Sequence, residues 1–207
     1  PPALIDFNTL HKADLSKYNV IILAGGSPSD PISDKAYPML KAWVNNGGTL
    51  ILTGSSYSLA SKIGVASYKK LPSLTSGKDK PLYKPYSSPS SVTNNVDGVI
   101  LSAHIDITSP LGYGYQDSDV ALFKSSSVAF DAKETKGSFP MYYAKEPYLS
   151  GCLSDAAIKR FAYTPACIVT GSGSGTVICF PDDLNFRSYW FGATKIFMNA
   201  IFFGQLY

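Results

Sequence analysis

Asn19-Val-Ile-Ile-Leu-Ala-Gly-Gly-Ser27 and Thr49-Leu-Ile-Leu-Thr-Gly-Ser-Ser56 are the two stretches whose reading decides the fold. Each is a short apolar run, β-branched and without polar alternation, broken by a glycine turn. Such a run predicts a strand buried on both faces, as parallel sheets require. Between them, Ser33 to Asn46 carries Ala36, Leu40, Trp43 and Val44 on one helical stripe. Pro38 falls near the start of that helix, where a missing N–H is tolerated, and Gly47-Gly48 stops it. Tyr57 to Ile63 predicts a second, short helix ending at Gly64. Strand, glycine turn, helix, strand, turn, helix is the pattern of a parallel α/β sheet.

Downstream the texture changes. From Tyr68 to about Asn95 the chain is rich in Lys, Pro and Ser, which predicts a solvated loop or insertion over about 68–95. Val96–Thr108, Asp119–Phe123, Ser127–Phe130 and Phe139–Ala144 then read as short strands, joined too closely for helices and therefore antiparallel. Ser154 opens a short helix to Arg160, with Asp155 in its first turn. Ala166–Thr170 and Gly175–Phe180 form a hairpin across Gly171-Ser-Gly-Ser174. That link lacks the Lys-Ser/Thr ending and the following helix of a phosphate loop. A helix from about Ser188 to Phe203 carries Trp190, Phe191, Ile196, Phe197, Ile201 and Phe202. So aromatic a helix predicts packing on the sheet over most of its circumference.

The length of 207 residues suits one domain, taken here as 1–207, with a core that needs no staples. Charged residues are 16% of the chain and hydrophobic ones 45%, which excludes a disordered, solvating segment. A net charge of +3, with no basic stripe, offers no footprint for nucleic acid. No apolar run approaches the roughly 20 residues that span a membrane. Cys152, Cys167 and Cys179 have neither the pairing of a disulfide framework nor the clustering of a zinc site. Cys167 and Cys179 sit in apolar runs and read as core thiols. The chain opens Pro1-Pro2, without Met or signal peptide, and reads as a piece of something longer.

Several stretches together carry a resemblance: Tyr18–Ser27, Leu40–Ile51, Ser109-Pro-Leu-Gly-Tyr-Gly114, Ser138-Phe-Pro140, Pro147-Tyr-Leu-Ser-Gly151, Thr164-Pro-Ala166, Asn185-Phe-Arg187 and Trp190-Phe-Gly192. They resemble the class I glutamine amidotransferase-like domain at the C-terminal end of some bacterial secreted zinc carboxypeptidases. The likeness runs from about Ile5 to the end. It implies a flavodoxin-like three-layer fold: an α/β, mostly parallel sheet with an antiparallel extension here. It also implies a secreted or periplasmic location and a peptidase domain upstream in the same chain. Any zinc would belong to that domain, and no cofactor is expected in this piece.

A class I amidotransferase attacks with a Cys on a sharp strand-to-helix turn, activated by His, with backbone N–H groups stabilising the oxyanion. Here that turn is Gly54-Ser55-Ser56-Tyr57, without cysteine, while the glycine loop Gly25-Gly26 is present. A Ser would need a base far more strongly than a thiol does. Only His11 and His104 exist. The family-like His before Pro110 is Ser109 here, and Pro181-Asp182-Asp183 offers carboxylates where the base would be sought. No triad is complete, and His11-Lys-Ala-Asp14 lacks the second His of a catalytic zinc site.

The carboxyl ends of parallel strands are the default ligand crevice. They gather Gly25, Gly26, Ser55, Ser56, Tyr57, Asp182, Asn185 and Arg187 as a candidate degenerate site for a small polar ligand or a peptide end. Capping of the terminal helix region is the other account of Arg187 and Asp183. The expected function is a non-catalytic accessory domain of a metallocarboxypeptidase. The alternatives are a hydrolase using Ser55 or Ser56, and a carbohydrate- or surface-binding module suggested by 13% aromatic residues.

Overall fold

The two deciding runs are neighbours in space. Val20–Leu23 forms β1 and Thr49–Thr53 forms β2, paired in parallel from Val20 and Thr49 to Leu23 and Leu52. The computed structural model describes residues 2–25, 33–74, 96–188 and 190–207; most of the predicted 68–95 loop, and Gly26, lie outside the described residues. Among the described residues five further strands join them in one sheet: β3 (Val99–Ile105), β4 (Asp119–Lys124), β5 (Ser138–Gly151), β6 (Pro165–Ser172) and β7 (Gly175–Phe180). Their spatial order is β1-β2-β7-β6-β5-β3-β4.

Helices α1 (Ala36–Asn45), α2 (Leu59–Ile63), α3 (Asp155–Phe161) and α4 (Phe191–Phe203) flank the sheet. Strand pleating sorts their packing. Leu50, Leu52, Val177 and Cys179 join Leu40 and Val44 of α1 and Ala60 and Ile63 of α2 in one core. Ile51, Ile178 and Phe180 point the other way, into a second core with Ala193, Ile196 and Ala200 of α4. The buried pattern of β7 is unbroken because both its faces are covered.

The prediction of a mostly parallel, flavodoxin-like three-layer sheet is overturned. Among the described residues only β1–β2 and β2–β7 run parallel; β7–β6, β6–β5, β5–β3 and β3–β4 are antiparallel. The reason lies in how the chain reaches β7. No crossover helix leads there: a tight hairpin turns from β6 into β7, and β7 then slots beside β2. Its tip is pressed on the end of α1, where a Cβ on Gly175 would sit 2.0 Å from the Val44 carbonyl oxygen. Gly173, in the left-handed region at φ +61°, would likewise strike the Asn45 backbone. Two glycines thus let the hairpin lodge where a parallel crossover would otherwise enter.

Other expectations change in detail. Ser127–Phe130 is no strand; Phe130 makes one isolated bridge to Lys70. β5 runs to Gly151, with register shifts against both neighbours, rather than stopping at Ala144. The terminal helix begins at Phe191 and buries a face of Ala193, Ile196, Asn199 and Ala200, with Phe197 and Ile201 packed partly buried against the same core. Asn199 fixes that face by donating to the carbonyls of Leu111 and Tyr113 at 2.8 and 2.9 Å. Phe191 and Phe202 stay exposed, so the expected packing does not extend to their side of the helix.

Ile196→Ala removes a fully enclosed side chain and should lower stability by about 2–5 kcal/mol. Phe202→Ala, in dilute solution, should change it by no more than about 0.5 kcal/mol. Urea denaturation of the two variants reads the difference; equal losses would mean that α4 is docked by another face.

Candidate functional site

β1, β2 and β7 end at the same edge of the sheet, since Thr53 lies opposite Phe180 in register. The glycine turn after β1 and the serine turn after β2 touch there. Gly25 N–H donates to Thr53 Oγ1 at 3.2 Å. A Cβ on Gly25 would lie 2.8 Å from the Thr53 carbonyl oxygen and 3.1 Å from the Ser55 nitrogen, so only glycine fits. The expected approach of the two turns is therefore present at Gly25; Gly26 lies outside the described residues.

The two serines differ. Gly54–Ser58 is a 3-10 turn leading into α2. Ser56 is buried, and its Oγ lies 2.7 Å from the Leu23 carbonyl and 2.8 Å from its own strand's Thr53 carbonyl. A hydroxyl has one proton to donate, and both acceptors that claim it are carbonyls, which are not bases. Ser56 clamps the two strand ends and lies out of a substrate's reach. Ser55 is exposed at the turn. Tyr57 turns toward the core of α1 and α2, edge-on to Phe130 at 5.2 Å, with Lys70 Nζ 5.7 Å from its ring centre.

Asp182 follows β7 at the same edge, but its carboxylate faces the other core. Oδ1 receives Lys124 Nζ at 2.8 Å, and Oδ2 receives the Tyr143 hydroxyl. Lys124 is 0% exposed and Asp182 4%. The ammonium also lies 4.9 Å from the Phe161 ring centre and 5.3 Å from that of Tyr143. Burial pushes the Lys124 pKa down and the Asp182 carboxylate opposes that shift; burial, with the same carboxylate, pushes the Tyr143 phenol up. This cluster escaped the sequence reading, yet a signal existed. Alternation along Asp119-Val-Ala-Leu-Phe-Lys124 puts Lys124 on the face of Val120 and Leu122.

Asn185 and Arg187 stand apart from the serine turn. The Asn185 backbone N–H donates to Asp183 Oδ1 at 3.0 Å, and its side chain accepts from Thr194 of α4 at 3.3 Å. Arg187 is exposed in a left-handed conformation (φ 51°), its guanidinium 5.2 Å from the Phe186 ring centre. Phe186 in turn stacks on Phe123 of β4 at 4.1 Å. The candidates thus divide: Gly25, Ser55 and Ser56 meet at the two turns with Tyr57 following them, Asp182 faces Lys124 and Tyr143, Asn185 meets Thr194 of α4, Arg187 lies on Phe186, and Gly26 is undescribed.

Neither histidine reaches the serine turn. β3 runs opposite to β2, so His104, near its end, lies at the far edge and pairs with Asp119 at 2.5 Å. The face it shares with Asp106 in sequence is not a contact, because Asp106 caps its own turn through Thr108. His11 belongs to the short turn Leu10–Lys12, packed beside α1. Among the described residues no three His, Cys, Asp or Glu side chains gather as a metal site. Cys167 and Cys179 are buried free thiols and Cys152 is exposed. Two prominent aromatics serve packing: Trp190 Nε1 donates to the Ala121 carbonyl and Tyr115 to the Gly192 carbonyl.

Lys124→Met strands a buried carboxylate and Asp182→Leu a buried ammonium, so each should cost about 3–5 kcal/mol. The double variant should recover most of that loss, because no charge is left uncompensated. Ser56→Ala should cost about 1–2 kcal/mol by removing the donor shared by two carbonyls. Chemical denaturation of the four proteins checks the set; additive losses in the double variant would refute the pairing.

The sequence matches no family model and no curated protein. Among solved structures it is similar to a ThuA-like protein from Bacteroides uniformis, at 13% identity and TM-score 0.50, over 95% of this chain and 73% of that one. It is also similar to a cytoplasmic protein of Salmonella typhimurium, at 14% identity and TM-score 0.49, over 94% and 77%. No helix among the described residues is long and apolar enough to cross a membrane. The likeness to the ThuA-like protein, at this identity, is one of fold.

Proposed function

We propose that this chain is a non-catalytic, amidotransferase-like accessory domain, serving a secreted zinc metallocarboxypeptidase. One observation carries the non-catalytic part: the groups at the amidotransferase crevice are committed to structure. The nucleophile turn holds Ser56, whose proton is claimed by Leu23 and Thr53 carbonyls. The carboxylate after β7, where a base would be sought, is neutralised by Lys124 inside the protein. Both histidines lie elsewhere. The peptidase partner rests on the resemblance of the sequence motifs. On this reading, zinc and peptide hydrolysis belong to the catalytic domain, and the crevice at most holds a small polar ligand or a peptide end without transforming it.

The direct test is ammonia release from glutamine by the purified chain, with Ser55→Ala alongside. The expected result is no turnover by either protein. Ser55 is the exposed serine beside Gly25, so turnover abolished by Ser55→Ala would replace this reading with a serine-dependent hydrolase.

A further inference from the structure

The face of α4 turned away from the sheet carries an exposed apolar stripe. Phe191, Lys195, Met198 and Phe202 follow one another at steps of four, three and four residues, which align on one side of a helix. They oppose the buried Ala193, Ile196 and Ala200. Phe191 is 78% exposed, Phe202 61% and Met198 41%. Amphipathic surface helices normally reverse this arrangement, with charge outward. At the C-terminal end the stripe widens through Phe203, edge-on to Tyr113 at 5.5 Å, and through the exposed Leu206.

Lys195 supplies the only charged side chain from Trp190 to Tyr207, and it does not interrupt the stripe. Its ammonium is drawn sideways to the Gly114 carbonyl and over the Tyr115 ring, 5.0 Å from the centre. The stem that remains on the stripe is apolar.

We propose that α4 pairs with α4 of a second copy of this chain, antiparallel across a two-fold axis. The spacing is self-complementary in that direction. Phe191 and Phe202 lie equally far from the midpoint of the stripe, as do Lys195 and Met198. Each Phe191 therefore meets the partner's Phe202, and each Met198 meets the stem of the partner's Lys195, as a two-fold contact demands. The area fits. Exposed parts of Phe191, Met198, Phe202, Phe203, Leu206 and Tyr113 amount to about 700 Å² per chain, against ~800 Å² per partner in a standard interface. With both Lys195 ammonium groups drawn off the seam to Gly114 and Tyr115, the stripe suits a reversible dimer. This pairing is independent of the crevice chemistry, so it stands or falls separately from the accessory-domain reading.

Sedimentation velocity of the chain over a dilution series is the test. The expected result is a monomer–dimer equilibrium that Phe202→Glu weakens by at least about tenfold, with an unchanged circular dichroism spectrum. The double variant F191K/F202E should recover dimerisation, because an antiparallel seam brings opposite charges together at both ends. Should Phe202→Glu fail to fold, Phe191→Glu reads the same contact from its other side. A chain that stays monomeric at every concentration overturns the proposal. So does a dimer indifferent to these substitutions, or a double variant no stronger than the single one, which would mean a different face or direction.

Discussion

One ammonium group with no access to water governs the middle of this molecule. Moving a charge such as that of Lys124 out of solvent costs several kcal/mol, and only close, complete compensation makes it tolerable. Asp182 supplies the opposite charge at 2.8 Å, Tyr143 satisfies the second carboxylate oxygen, and the faces of Tyr143 and Phe161 take the remaining flank. Each group comes from a different element: the end of β4, the middle of β5, the turn after β7, and α3. The antiparallel part of the sheet is thereby tied to its parallel part at a point where no partner can be spared. The α3 side of the tie is reinforced by Arg160, whose guanidinium donates to the carbonyls of Leu71, Pro72 and Ser127 and holds two irregular segments in place.

That commitment is what the proposed non-catalytic role rests on. On the proposed reading, the segment after β7 is where an acid–base residue would be sought. Here the side chain at that place, Asp182, points inward to hold the sheet together. The glycine and serine turns keep their close approach because the Gly25 N–H donates to the Thr53 hydroxyl and the Ser56 hydroxyl donates to the Leu23 carbonyl. The groups at this edge hold strands, and the exposed aromatic stripe lies apart from them on α4.

The legible parts of the fold were those governed by local chemistry. β1, β2, α1 and the β6–β7 hairpin follow from unbroken apolar runs and glycine punctuation. The N-cap of α3 follows from Ser154, which accepts the Ala157 N–H at 3.2 Å. What local pattern does not encode is partner choice. Two βα units predict further parallel strands, and only the fit of Gly173 and Gly175 against the end of α1 reveals that a hairpin enters instead. The candidate site was half legible for the same reason. Strand order brings Gly25 and Ser55 together, but which face Asp182 takes depends on Lys124, 58 residues away in sequence. The aromatic content of α4 misled, because hydrophobicity alone reads as burial. The spacing of Ala193, Ile196 and Ala200 is the narrower and truer record of its buried face.

The central claim is that the carboxylate at the crevice edge is spent on an interior ammonium. Lysine-selective nitrogen-15 NMR tests it most directly, by watching the ammonium protons themselves. The account predicts that Lys124 gives a protected ammonium signal, exchanging with water far more slowly than the exposed lysines. That signal should show through-space contacts to the rings of Tyr143 and Phe161 and vanish in Asp182→Asn. A Lys124 ammonium exchanging as fast as the surface lysines, with no contact to either ring, would contradict the account and return Asp182 to the crevice.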